Sequence, residues 1–142
     1  MVPFGLRAVP IERGRPLIAV DVDDTLVVFV DHLSRWMRGR GVEMRLDSYQ
    51  LEGSMFVAGS DMPLPFEDCI QIIRDFFDAE TLAQELLPGA GTALEELAEI
   101  AQIVILTNVP RHAASARRAN LDGHGLEYPL VINSGGKGRA MA

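Results

Sequence analysis

The sequence predicts an α/β fold built on a parallel sheet. Three short apolar runs, residues 17–22, 103–106 and 130–132, read as buried strands that end in polar residues. Helical patterns, not tight turns, separate these runs, as parallel connections require. Apolar residues make up 48% of the 142-residue chain, enough for the core of one domain.

The elements follow in order. Leu17-Ile-Ala-Val-Asp-Val is the first strand, and residues 26–30, Leu-Val-Val-Phe-Val, carry the apolar character past the acids. Asp31 is placed to cap a helix that buries Leu33, Trp36 and Met37 and ends near Gly39 or Gly41. Residues 42–65 are mixed, with Gly53, Gly59, Pro63 and Pro65 breaking any long element. Phe66, Cys69, Ile70, Ile73, Phe76 and Phe77 recur at helical spacing, with Glu67 and Asp68 at the favourable end of the dipole. A short helical piece covers about 80–87, and Pro88 to Gly91 is a turn. Thr92 and Glu95 form the pattern of a capping box, ahead of an apolar stripe of Leu94, Leu97, Ala98 and Ala101. The second strand ends at Thr107-Asn108. Pro110 to Leu121 reads as helix with Gly123 and Gly125 beyond it. The third strand runs into glycine-rich Asn133 to Gly138.

Charge and cysteine usage narrow the function. With 20 acidic and 13 basic side chains the net charge is −7, which argues against broad binding to nucleic acid or an anionic membrane. The single cysteine, Cys69, has no internal disulfide partner and no zinc-ligand spacing, which suits a reducing, cytoplasmic setting. No apolar stretch reaches the roughly 18 residues of a membrane span. Met1 to Pro16 carries Arg7, Glu12, Arg13 and Arg15 and lacks the apolar run of a signal peptide. All the basic residues but one are arginine, so the lone lysine, Lys137, invites a specific role.

In a parallel sheet, ligands bind beyond the carboxyl ends of the strands. Asp21, Asp23, Asp24 and Thr25 follow the first strand, Thr107 and Asn108 the second, Ser134 and Lys137 the third. Asp21 and Asp23 would share one side if the strand ran on straight, and two close carboxylates need a cation or a shared proton. Oxygen ligands of this kind suit Mg²⁺; a helix cap or turn cluster is the plainer alternative. Thr107 offers a hydroxyl to a phosphate oxygen, or is simply satisfied at a strand end. Lys137, between glycines, offers a point charge to a phosphate, or is solvated. The occurrence of all three in chain order at three strand ends favours the shared site.

Together these motifs resemble the haloacid dehalogenase superfamily. Asp21-Val22-Asp23-Asp24-Thr25-Leu26 matches its first motif, DxDxT; Ile103 to Asn108 matches its second; Lys137 matches the third-motif lysine. The resemblance covers about residues 17–140 and implies a Rossmannoid three-layer α/β/α core, truncated at its C-terminus, made of residues 1–30 and 87–142. It implies a small helical cap over residues 31–86, in which Trp36, Met55, Phe56 and arginines face either substrate or core. Asp21 would be the nucleophile that becomes an aspartyl phosphate, and Asp23 the general acid and then base. Thr107 and the Asn108 backbone would bind the phosphoryl group, with Lys137 offsetting charge. Mg²⁺ would be held by the Asp21 side chain and the Asp23 carbonyl. The implied activity is hydrolysis of a small phosphorylated metabolite or nucleotide, by a phosphatase similar to the 5′-nucleotidase type.

The chain departs from the family in reaching Ala142 without a fourth motif of one or two acids. A longer parent, with a missing C-terminal segment, is the favoured expectation. The others are a partner chain, as in a homodimer, that supplies the missing edge, and a non-catalytic binding or interaction protein of the same fold. A receiver-like phosphoacceptor domain is the rival from another class, with Asp61 in Asp61-Met62-Pro63 as its acceptor. A P-loop reading of Ser134 to Gly138 fails, because Val131 stands where the first glycine is required and Gly138 where Ser or Thr is required.

Overall fold

Alternation along the strands decides which way each residue faces. A computed structural model describes residues 9–47 and 50–133. Its main sheet has three parallel strands in the order β1 (Leu17–Val20), β4 (Gln102–Thr107), β5 (Leu130–Ile132). Leu17 pairs with Gln102 and Val20 with Ile105, while Ile105 pairs with Leu130 and Thr107 with Ile132. Ile103, Ile105, Leu130 and Ile132 join one apolar cluster, packed by Ile18 and Val20. Val104, Leu106 and Val131 join a second cluster with Val9, packed by Leu17 and Ala19. Successive side chains thus enter opposite faces, as the period of two demands.

Both parallel crossovers run in the same direction across the sheet. Right-handed connection then places their helices on one face. Helices α1 (Val30–Arg38), α2 (Phe66–Glu80), α3 (Ala90–Ile100) and α4 (Ala114–Gly123) all contribute to the first cluster and none to the second. The expected three layers are therefore two among the described residues. The fold is mixed α/β with a parallel sheet, as the sequence predicts.

Several local readings change. The 31–86 segment is not purely helical: β2 (Val42–Met44) and β3 (Met55–Val57) form an antiparallel pair between α1 and α2. Gly41, at φ +74°, makes the reversal from α1 into β2, a conformation open to glycine at little cost. This segment does not fold away from the rest, because Leu33, Met37, Met55, Cys69, Phe76 and Phe77 share the cluster of Ile103 and Ile105. Trp36 and Phe76 meet edge to face at 5.7 Å, and the Arg40 and Arg45 guanidiniums lie over Trp36 and Phe56. Trp36, Met55 and Phe56 thus pack within the fold. Burial pushes the Cys69 thiol up, which makes it an inert core group.

The expected capping box does not form. α3 begins two residues before Thr92, at Ala90, because Gly89 at φ +83° turns the chain directly into the helix and its carbonyl accepts the Ala93 N–H at 3.0 Å. The helix after β4 opens as a 3-10 turn, Arg111–Ala113, and α4 runs through Gly123, which the sequence reading placed outside it.

The head of α1 is also capped differently. Asp31 lies inside the helix, and Asp24 does the capping from before it. Its carboxylate accepts the N–H of Phe29 at 2.8 Å and of Val30 at 3.1 Å. Asp24 sits at φ +54°, left-handed backbone that Asp tolerates better than most residues. Asp24→Ala loses both contributions. It should destabilise the fold by about 2 kcal/mol, against a few tenths for Asp24→Asn, in urea unfolding of the two variants.

Candidate functional site

The first strand stops earlier than its apolar run. β1 ends at Val20, and the Val22 carbonyl then accepts the N–H groups of Thr25, Leu26 and Val27 at 3.1, 2.8 and 3.1 Å. This tight turn separates the two aspartates that a straight strand would align. Asp21 is exposed, with its Oδ1 accepting the Val22 N–H at 2.8 Å. Asp23 swings inward, and its side chain is 19% exposed.

Asp23 is held by two donors. Arg117 Nη2 donates to Asp23 Oδ1 at 2.9 Å, and Gln84 Nε2 donates to the same oxygen at 3.3 Å. Burial raises the Asp23 pKa above the usual carboxylate value, and the Arg117 charge offsets only part of that rise. Burial also pulls the Arg117 guanidinium down, against the attraction of Asp23. Neither donor was legible as a site residue. The signal was present for Arg117, which lies four residues before Leu121 and so on the buried stripe of α4.

Thr107 ends β4 beside this turn. Val20 pairs with Ile105, so Asp21 and Thr107 both lie at the carboxyl edge of adjacent parallel strands. Thr107 is fully buried, and its Oγ1 has no hydrogen-bond partner among the described residues. A buried hydroxyl without a partner is uncommon and costly, so it calls for an explanation. Asn108 is exposed, and its side-chain oxygen accepts from Asn133 Nδ2 at 2.9 Å. The Asn133 N–H in turn donates to the Thr107 carbonyl at 2.9 Å, which ties the exit of β5 to that of β4. Lys137 and Ser134 lie outside the described residues.

The donor set bears on a metal. Among the described residues no three acidic, histidine or cysteine side chains cluster as metal ligands. Mg²⁺ does not need three, since it keeps several waters and takes one or two protein oxygens plus phosphate. The exposed Asp21 carboxylate meets that requirement. The Asp23 carbonyl oxygen accepts none of the turn's hydrogen bonds, while the Asp23 side chain is engaged by Arg117 and Gln84. The Asp21 carboxylate and the Asp23 carbonyl are oxygen donors of the kind Mg²⁺ takes, while the Asp23 side chain is held by Arg117 and Gln84.

Asp61, the acceptor of the receiver alternative, lies in the chain between β3 and α2, outside the parallel sheet. Its carboxylate is almost fully exposed and pairs with Arg45 at 3.0 Å. A receiver acceptor belongs at the carboxyl end of a parallel strand, so Asp61 lacks that setting.

Two clefts flank α1. One, of about 710 Å³, is lined by Asp31, Arg35, Arg38, Glu43 and Glu85; the other, of about 610 Å³, is apolar, with Phe29, Leu33, Leu46, Leu51 and Ile73. Neither is lined by Asp21, Asp23 or Thr107. The two clefts and the strand-end residues are thus separate features of the fold.

No protein-family model matches the chain, and comparison with curated proteins gives no match. No helix among the described residues is long and apolar enough to cross a membrane.

Proposed function

We propose that the chain is a Mg²⁺-dependent phosphomonoester hydrolase of the haloacid dehalogenase type, acting on a small phosphorylated substrate. The observation that carries this reading is the buried Thr107 hydroxyl, which has no hydrogen-bond partner among the described residues, beside an exposed Asp21 at the edge of adjacent parallel strands. In this reading a phosphate oxygen would take up the Thr107 hydroxyl's hydrogen bond, and the Asp21 carboxylate, exposed at the strand edge, would approach phosphorus. The residues work as follows. Asp21 is the nucleophile, and the phosphoryl group passes to its carboxylate. Asp23, made more basic by burial, gives a proton to the leaving oxygen and takes one from the incoming water. Thr107 and the Asn108 backbone orient the phosphoryl group, and Lys137 supplies charge from beyond the described residues. Bound Mg²⁺ supplies the positive charge that lets a carboxylate approach a dianion. The single buried Cys69 suits a cytoplasmic setting.

The test is hydrolysis of para-nitrophenyl phosphate with Mg²⁺ and with chelator. Turnover that needs the metal supports the reading, and no turnover under any metal condition overturns it. Thr107→Val separates binding from folding at the same site. It removes a buried hydroxyl that lacks a partner among the described residues, so the fold should gain about 1 kcal/mol while kcat/KM falls at least about tenfold. A loss of stability together with unchanged activity would return Thr107 to an ordinary strand end.

A further inference from the structure

Arg117 heads the fully buried side chains by volume among the described residues. Burying a guanidinium is costly, and an apolar residue would fill the space more cheaply. Its contacts show what it does there. Nη2 reaches Asp23 Oδ1 at 2.9 Å, and Nη1 reaches Asn120 Oδ1 at 3.5 Å. Gln84 Nε2 approaches the same Asp23 oxygen from the segment after the 3-10 turn Thr81–Ala83, and also donates to the Val28 carbonyl at 3.1 Å. The Gln84 backbone is itself anchored, because its carbonyl accepts Asn120 Nδ2 at 2.8 Å. Two donors on different elements thus converge on one oxygen, and each is held by further bonds. A planar carboxylate fixed at one oxygen has the direction of the other fixed as well. Arg117 is 0% exposed and the Asp23 side chain 19%, so what exposure the pair retains is on the aspartate, whose Oδ1 both donors engage.

We infer that Arg117, assisted by Gln84, is a positioning residue that pins Asp23 Oδ1 and so aims Oδ2 at the leaving-group oxygen of a bound phosphate ester. The inference rests on the phosphomonoesterase reading. In the first step an Asp21 carboxylate oxygen bonds to phosphorus while the bond from phosphorus to the ester oxygen breaks. The proton on Asp23 Oδ2 passes to that departing oxygen, which leaves as the alcohol. In the second step water adds to phosphorus, its proton goes to Asp23 Oδ2, and the bond from phosphorus to the Asp21 oxygen breaks. Inorganic phosphate leaves, and both aspartates return to their starting states.

Leaving groups separate this role from simple support of the fold. Benzyl alcohol must be protonated as it departs, whereas para-nitrophenolate leaves unaided. The experiment compares kcat/KM, with Mg²⁺, for benzyl phosphate and para-nitrophenyl phosphate in the wild type and in Arg117→Gln. The variant should lose about a hundredfold on the benzyl ester and no more than about fivefold on the nitrophenyl ester. In an Asp23→Asn background the same substitution should leave the ratio of the two esters unchanged. Equal losses on both esters, or a further change of ratio in that background, overturn the inference. Gln84→Met keeps the charged pair and serves if Arg117→Gln does not fold: a smaller loss confined to the benzyl ester supports positioning, and equal losses overturn it. A wild type that hydrolyses neither ester overturns the phosphomonoesterase reading itself, which is a different result from an active wild type whose variants show no selectivity.

Discussion

Asp21→Asn should reduce Mg²⁺-dependent ester hydrolysis by about 10⁴-fold or more, because it removes a nucleophile for which nothing else substitutes. The replacement is close to isosteric. The Asn side-chain oxygen can still accept the Val22 N–H that Asp21 Oδ1 accepts at 2.8 Å, so the turn after β1 survives. Asp21 is exposed, and stability should change by no more than about 0.5 kcal/mol. The variant therefore isolates chemistry from folding. Two measurements check it: turnover of para-nitrophenyl phosphate at saturating Mg²⁺, and mass spectrometry of acid-quenched wild type for phosphate on the Asp21 peptide. Full activity in Asp21→Asn, or phosphate found on Asp61 instead, would remove Asp21 from the nucleophile's place.

What the sequence made legible follows from length scale. The strands were readable because alternate burial on two faces leaves a run with no polar interruption, and 130–132 matches β5 residue for residue. Asp21, Asp23 and Thr107 stood out as candidates because they are the polar residues at the ends of such runs. The pair β2–β3 was not, since strands of three residues are too short to display a period. The Thr92/Glu95 pattern misled because Gly89, a residue outside the motif, had already turned the chain into α3. The separation of Asp21 from Asp23 depends on three hydrogen bonds to one carbonyl, which no pattern of residue types encodes. The partners of Asp23 were invisible for a related reason. Gln84 and Arg117 lie 61 and 94 residues away in the chain, and the packing of α4 against the 3-10 turn Thr81–Ala83 is what sets them side by side at Asp23.

Arg117→Met should be the most destabilising of these substitutions at neutral pH, by about 3–5 kcal/mol, because it leaves Asp23 buried with no compensating charge. The loss should depend on pH, and its sign follows from the direction of the Asp23 shift. Burial holds the folded pKa of Asp23 above its unfolded value, so the folded state binds that proton more tightly. The stability linked to Asp23 is then fully present below the unfolded pKa and is lost as pH rises through the folded one. Without Arg117 the carboxyl rises further and more stability is lost at neutral pH. The gap between wild type and Arg117→Met is therefore widest at neutral pH and narrows as the solution is acidified, which paired urea titrations at the two conditions measure. A gap independent of pH would place the cost of the substitution in packing alone. The double variant Arg117→Met/Asp23→Leu removes both charges. Well-packed apolar replacements of a buried ion pair are often neutral or stabilising, so it should recover at least the wild-type stability. It should also be unable to assist a poor leaving group. A protein that is as stable without the pair, and loses only proton transfer, holds that pair for its chemistry and not for its fold.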